Sequence, residues 1–432
     1  MLKRSLGFWQ AVMLGVGVMV GAGIYVLVGV GTVHAGSALW LSFLIGAVLA
    51  FMTAMSYAEL CSMYPNAGSS YFYSKQAFGS RRLSFLLGWF LVVAYTAGSA
   101  TVAFGFSQYL FNLFPVPQAL AALLILAILG LLNYAGLKEA SRFNVLATFL
   151  EVGGLIALLF LFFAATGLSG LSFSIESPNG SEGIISAAIL MFFAYLGFEV
   201  LATAAEEVKE VKRNLPRAIM VSITITSIVY ILVALAFTAA LPYERVVETV
   251  EDGRGALAIA AGEFGGPAFL LALGIIGLFS TSNTIMISMI GVSRMMYGMA
   301  EDRALPKQLL HTTSSGVPGL AIVLATLFSM LLIFLGDISF VARISVSGMF
   351  LLFIVDNLSV VALRLRRPGH ERPFKIPLSI RNVPVMPLIA SMLMVALLAY
   401  EFSSHPEMLA GFLALAAVGL LLNESERRLT GD

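Results

Sequence analysis

The sequence predicts an all-α polytopic membrane protein with twelve spans. Three observations carry that expectation. Of its 432 residues, 59% are hydrophobic and 11% charged, whereas soluble domains carry roughly 25% charged residues; the chain lacks the polar surface to cover a water-soluble globule. The apolar residues fall in runs of about 20, the length a helix needs to cross a bilayer. The basic residues partition to one side of those runs, as cytoplasmic segments do.

In order, the runs are 8–32, 38–60, 83–110, 117–135, 143–166, 183–204, 217–241, 266–297, 317–336, 338–363, 384–401 and 406–423. Pro65, Pro115, Pro117, Pro216, Pro242, Pro306 and Pro318 fall at span edges or in loops, so an interruption inside a span has to come from glycine. EEVKEVKRNLPR after the sixth run reads as a solvated loop, and 242–265 as an acidic outer loop forming a surface helix or lid. With the N-terminus cytoplasmic, every lysine and arginine except Arg245, Arg254 and Arg343 lies at an inner end or loop. An even span number returns ESERRLTGD to the same side, so both termini are expected in the cytoplasm. MLKRSLGFWQ leads into the first span with no expected signal-peptide cleavage site.

Several classes are excluded by composition. A net charge of +1 gives no basic field for nucleic acid. Cys61 is the lone cysteine, and His34, His311, His370 and His405 are scattered, so neither a disulfide nor a metal site is expected. No cofactor motif occurs. The absence of GxxxxGK[ST] argues against nucleotide-driven chemistry, and the absence of HExxH and GxSxG against an intramembrane enzyme. A receptor would be expected to carry a soluble effector domain, but only a short tail follows the last run.

The first span contains GVGVMVGAGIYVLVGVG, Gly15 to Gly31. Glycine costs about 1 kcal/mol relative to alanine in a helix, so its density here needs a reason. Close helix packing is one, since Gly17 and Gly21 make a GxxxG pattern. The other is a helix that unwinds in mid-membrane, where freed N–H groups take a carboxylate and freed carbonyls a cation or amine, as in secondary transporters. The second reading places a break at Gly21–Ala22–Gly23 and demands a partner five spans later. The sixth span supplies it: FFAYLGFE carries Gly197 and, two residues on, Glu199. A carboxylate at that depth costs about 2.5–3.5 kcal/mol on insertion scales, which packing does not explain.

These residues resemble a known family. GVGVMVGAGIY, YPNAGSSYFYSKQAFG after the second span, FFAYLGFEVLATAAEEVKEVKRNLPRAI and SRMMYGMAEDRALP occur in the order and spacing of the amino acid–polyamine–organocation superfamily, similar to its cationic amino acid transporter-like branch. The resemblance implies a LeuT-type fold of two inverted five-helix repeats, 8–166 and 183–363, with discontinuous helices 1 and 6 and peripheral spans over 384–423. It implies a plasma-membrane secondary transporter of amino acids by alternating access, with exchange of amino acids or polyamines as the alternative. Substrate would lie between spans 1, 3, 6, 8 and 10, with spans 1, 2, 6 and 7 rocking against 3, 4, 8 and 9. Gly21, Ala22 and Gly23 would face the substrate carboxylate, with Ile24 a further substrate-binding candidate. The carbonyls of Phe193, Ala194 and Leu196 would take its amino group, and Phe193 would gate it.

Polar stripes add candidates. Asn144, Thr148 and Glu151 share one face of span 5, and Ser280, Thr284 and Ser288 one face of span 8; Tyr95 and Ser99 are a turn apart in span 3. Tyr95 and Ser99 are substrate-binding candidates. Glu151, Ser280 and Thr284 are candidates for ion coupling. Nine residues after the arginine matching Arg142, some family members carry a lysine whose ammonium stands where sodium sits in sodium-coupled relatives. This chain has Glu151, so proton binding, a sodium site and a structural role stay open, with proton coupling the leading reading. Glu199 is open between a cationic substrate group, a proton site and a gate. Asp356 is expected to pair with an arginine near the inner mouth, Arg343 to gate or snorkel, and Glu59 and Cys61 to be structural. Asn179-Gly-Ser181 is an outer-side glycosylation sequon.

Overall fold

The computed structural model describes residues 6–64, 70–136, 140–167, 170–203, 205 and 208–430. Met1–Ser5, Pro65–Ser69 of the loop after span 2, and Glu206 and Glu207 lie outside the described residues, as does the side chain of Arg142.

The described chain is almost wholly helical. Span 1 comprises α1 (Phe8–Met19) and α2 (Ala22–Ala35), and span 2 is α3 (Leu39–Met63). A short α4 (Ser70–Phe78) precedes α5 (Arg81–Phe111), α6 (Gln118–Ala135) and α7 (Ala140–Thr166). Span 6 comprises α8 (Gly180–Phe192), a 3-10 turn at Phe193–Tyr195 and α9 (Phe198–Thr203). Next come α10 (Val211–Ala240), α11 (Tyr243–Glu251), α12 (Ala256–Gly265) and α13 (Pro267–Glu301). The chain ends with α14 (Gly319–Leu332), α15 (Ile338–Arg366), α16 (Val385–Ser404) and α17 (Pro406–Thr430). Between α15 and α16, β1 (Ser379–Ile380) and β2 (Val383–Pro384) pair antiparallel across Arg381 and Asn382. Both turn residues have positive φ (49° and 70°), as tight two-residue hairpin turns demand.

Among the described residues, ten helical stretches are long and apolar enough to cross a membrane. One of these, Ala22–Met63, holds two of the expected runs, separated where Gly36 (φ 58°) ends α2. With α14, all twelve expected runs are helical, and the chain is a multi-pass integral membrane protein. Exposed Phe149, Phe160, Leu331 and Leu421 belong on a lipid-facing exterior.

Some boundaries differ from expectation. Helix α10 begins at Val211, so Pro216 sits inside it, in its second turn, where it removes one i→i−4 hydrogen bond. The 242–265 segment is two helices rather than a lid. Helix α12 is buried over Ala256–Ala261 and packs on α13 and α2, with Gly29 against Ala256. The loop after α9 is only partly solvated: Val208 is buried and bridges to Leu6, pinning the start of the chain.

Helix α5 lies between α13 and α15, and α10 lies along α3. Two buried ion pairs fasten α15 to its neighbours. Arg364 donates to both oxygens of Glu59 on α3 (2.5 and 2.8 Å), and the Ile376 N–H also donates to that carboxylate (2.9 Å). Arg372 Nε stands 3.4 Å from it without forming a hydrogen bond. At the other end, Arg343 donates to Glu401 of α16 (2.8 Å) and to Ser186 of α8 (2.6 Å). Arg343 therefore does not snorkel: it is 4% exposed and paired, because α8 and α16 close over it. Its Ser186 contact ties α8 to α15.

Removing one member of a fully buried pair strands the other charge. Glu59→Leu should therefore destabilise the fold by about 3–5 kcal/mol. The double variant Glu59→Leu/Arg364→Leu should recover most of that loss. Thermal unfolding in detergent checks both, and equal melting temperatures for single variant and parent would contradict the assignment.

Candidate functional site

Two interrupted helices meet at the centre of the bundle. Helix α1 stops at Met19, Val20 turns out of helical geometry (ψ 66°), and Gly21 is extended (φ −110°, ψ −153°) before α2 begins at Ala22. The break is thus Val20–Gly21, one residue earlier than Gly21–Ala22–Gly23, and Ala22 and Gly23 form the first turn of α2. In span 6, Leu196 is extended and Gly197 has φ +121°, a conformation that essentially requires glycine.

The two breaks interlock. A Cβ on Gly23 would stand 2.6 Å from the Ala194 Cα, and one on Gly197 would stand 2.9 Å from the Val18 side chain. Any larger residue would push the backbones apart. Tyr230 of α10 ties them: its hydroxyl donates to the Met19 carbonyl (2.6 Å) and the Ala194 carbonyl (3.1 Å). Thr284 of α13 accepts from the Ala22 N–H (3.1 Å). The N–H groups of Gly23 and Ile24 have no partner among the described residues, so the α2 N-terminus presents donors and the positive end of its dipole. The Phe193 carbonyl accepts from the Leu196 N–H (3.2 Å) and keeps a second lone pair.

These breaks wall a cavity of about 170 Å³. Its sides are largely apolar, with Val18, Val102, Leu196, Ile287 and Met349 among them. Among the described residues, Glu151 is the one carboxylate that lines it, and no basic residue does; Glu199 lies just behind the wall, bonded to Tyr95 and Gly197, which do line it. Tyr95 lines it too, as do Thr284 and Ser288. Ser99 does not: its hydroxyl bonds back to the Tyr95 carbonyl (3.0 Å), and Gly98 takes the place facing Phe193. The Ile24 side chain is fully buried behind the wall.

Glu199 occupies the start of α9. One oxygen accepts from the Gly197 N–H (2.9 Å), the other from the Tyr95 hydroxyl (2.7 Å). The carboxylate caps the half-helix, the favourable place for a negative charge, and holds α9 to α5. Glu151 differs. Its Oε1 accepts from Asn283 Nδ2 at 3.4 Å, while Glu151 Oε2, Ser280 Oγ and Asn283 Oδ1 are buried without a hydrogen-bond partner among the described residues. The Ser280 hydroxyl lies beside the same carboxylate. Asn283 also donates to Asn144 (3.0 Å), which fixes the orientation of its amide. The Tyr25 hydroxyl donates to the Glu151 backbone carbonyl (2.5 Å), linking this cluster to α2.

Sequence reasoning missed Tyr230 and Asn283. Each had a signal: Tyr230 is the one tyrosine inside span 7, and Asn283 the one asparagine inside span 8. Asp356 does not have the arginine partner expected for it. It accepts from the hydroxyls of Tyr57 and Ser70 rather than from an arginine, because the nearby Arg364 is committed to Glu59. Asn179 precedes α8 without a side-chain capping bond, and its amide donates instead to the His34 carbonyl (3.3 Å).

A polytopic bundle whose two interrupted helices enclose a cavity has the build of a membrane permease, not of an enzyme. The chain belongs to the amino acid permease family, whose sequence model matches residues 6–419. It is 30% identical to the branched-chain amino acid permease BcaP of Bacillus subtilis over 416 aligned residues, covering 90% of this chain and 86% of that one. It is 29% identical to the methylthioribose transporter of the same organism, covering 90% and 87%. To the vacuolar cationic amino acid transporter 2 of Arabidopsis thaliana it is 30% identical, covering 98% of this chain and 69% of the plant protein.

If the interlock depends on bare glycine, Gly197→Ala should destabilise the protein by about 1–3 kcal/mol through backbone strain. Gly23→Ala should also lower the melting temperature, because a Cβ there meets backbone. Gly153→Ala in α7 meets nothing within 4 Å and should leave it unchanged or raise it. Equal melting temperatures for all three would remove the interlock.

Proposed function

We propose that the protein is a secondary active transporter that carries amino acids across the plasma membrane by alternating access. The observation that carries this is the paired break. At one cavity, the unpartnered N–H groups of Gly23 and Ile24 face the carbonyl end of α8 and its 3-10 turn. A free amino acid is the zwitterion that matches such a pair, its carboxylate at the α2 N-terminus and its ammonium on the carbonyls of Phe193, Ala194 and Leu196.

The rest of the wall favours a neutral, apolar side chain. No basic group is present to take an acidic one, and both oxygens of Glu199 are already engaged. The name of the Bacillus branched-chain permease agrees with this choice. A cationic amino acid or polyamine is the second reading, favoured by the unpaired Glu151 Oε2 and by the names of the plant relatives.

The energy source is a proton gradient, read at Glu151. With the carboxylate ionised, Glu151 Oε2 and Asn283 Oδ1 are acceptors with only the Ser280 hydroxyl to serve them; one proton on the carboxyl supplies the missing donor. Residues 8–166 and 183–363 act as inverted repeats around the site, spans 11 and 12 lie outside them, and the basic face with both termini is cytoplasmic.

Uptake of labelled amino acids and polyamines into proteoliposomes tests the reading. Branched aliphatic amino acids should accumulate under an imposed inward proton gradient and not under a sodium gradient. Glu151→Gln should abolish accumulation while leaving exchange of internal for external substrate. Accumulation that follows sodium, or survives in Glu151→Gln, would overturn the coupling assignment; no binding of any amino acid would overturn the transport reading.

A further inference from the structure

Asp356 lies apart from the substrate cavity, toward the basic face, where α3, α4, α9 and α15 meet. It is fully buried. Its Oδ2 accepts from the Tyr57 hydroxyl at 2.5 Å and from the Ser70 hydroxyl at 2.6 Å, and those two hydroxyl oxygens are themselves 2.7 Å apart. The three oxygens therefore form a closed triangle of short contacts.

Counting hydrogens shows what such a triangle needs. Each O···O contact of this length requires one hydrogen between its oxygens. Tyr57 and Ser70 bring one each, so an ionised Asp356 leaves one contact with two lone pairs facing each other. A protonated Asp356 brings the third, and each oxygen then donates once and accepts once around the ring. The other carboxyl oxygen, Oδ1, is buried with no hydrogen-bond partner among the described residues. That costs much more for a carboxylate than for the carbonyl of a neutral acid.

Among the described residues, no cation pairs with Asp356. Among the described residues, the ionisable groups facing Asp356 are Tyr57 from α3, Tyr73 from α4 and Glu199 from α9, and Cys61 of α3 faces Tyr73. Arg364, two turns along α15, and Glu59 of α3 neutralise one another.

We propose that Asp356, Tyr57 and Ser70 form a second proton-binding site, and that proton occupancy there holds the basic face closed. The triangle joins α4 to α3 and α15, and Phe198 of α9 packs on Tyr57 and stacks on Phe353 beside it (ring centroids 5.6 and 5.2 Å). Loss of the proton breaks the ring at the one element that is not a membrane span, α4, and frees the half-helix that leads from the substrate cavity. The proposal extends the proton-coupled reading by adding a proton site on the exit side. Its test reads accessibility rather than transport, so either can fail without the other.

The chain carries its own reporter. Cys61, the only cysteine, is fully buried one turn from Tyr57 on α3. Labelling with N-ethylmaleimide in detergent-purified full-length protein, compared between variants at each pH, cancels the intrinsic reactivity of the thiol. The Asp356→Asn amide, with Nδ2 at the ring position, donates one hydrogen to each hydroxyl oxygen, so every contact of the ring keeps a hydrogen at every pH. The parent should label at the rate of Asp356→Asn in acid and about tenfold faster in alkali, the effect of losing one hydrogen bond of ordinary strength. Ser70→Ala, which opens the ring outright, should label about tenfold faster than the parent in acid and converge with it in alkali. If Asp356→Asn does not fold, Ser70→Ala and Tyr57→Phe carry the test. Rate ratios that stay flat with pH overturn the proton site, and ratios near one for every variant overturn the closure as well.

Discussion

Everything at the centre of this protein depends on two backbones touching where helices are interrupted. Gly23 rests on Ala194 and Gly197 rests on Val18, at separations that leave no room for a methyl group. The contact is reciprocal, with each break packed against the helix that leads into the other. A helix interrupted in a bilayer exposes polar backbone that lipid cannot satisfy. Pressing two interruptions together lets each be served by protein: Thr284 takes one N–H, Tyr230 serves two carbonyls, and Glu199 caps the restarted helix. The donors left over at Gly23 and Ile24 are then the ones available to a ligand.

Around this centre, charge is spent on fastening the scaffold. Helix α15 illustrates the division. Arg343 near one end binds α8 and α16, and Arg364 near the other binds α3 and the segment after α15. Ser56 and Thr53 of α3 meet Asn357 between them. These two arginines are committed to their pairs, so among the described residues Glu151, Glu199 and Asp356 have only hydroxyls, amides and backbone N–H groups as partners. Such acids can change protonation without breaking an ion pair, whereas Glu59 and Glu401 cannot.

The fold was legible in the sequence because its signals are local. Apolar run length gave twelve helical segments, and the glycines of GVGVMVGAGIY together with Gly197 gave both interruptions. What escaped depends on distant partners. The break fell at Val20–Gly21 because the Ala22 N–H is held by Thr284, far away along the chain. Asp356 was expected beside an arginine, yet Glu59 on a different helix had already claimed it. Tyr230 is the one tyrosine of span 7 and Asn283 the one asparagine of span 8, each among several hydroxyl residues. Nothing in their own neighbourhoods distinguishes a side chain bonded to its own helix from one that ties two others. Glu151 was visible as an anomaly, but its unpaired oxygen became evident only with α13 beside it.

The Tyr230 hydroxyl has one hydrogen and faces two carbonyls on two different helices. When the helices separate, that hydrogen stays with whichever carbonyl remains, so parting them costs an acceptor and never strands the donor. A tyrosine placed in this way behaves less as a weld than as a clutch plate. Were the two interruptions to shift against one another, α10 would keep hold of one of them throughout.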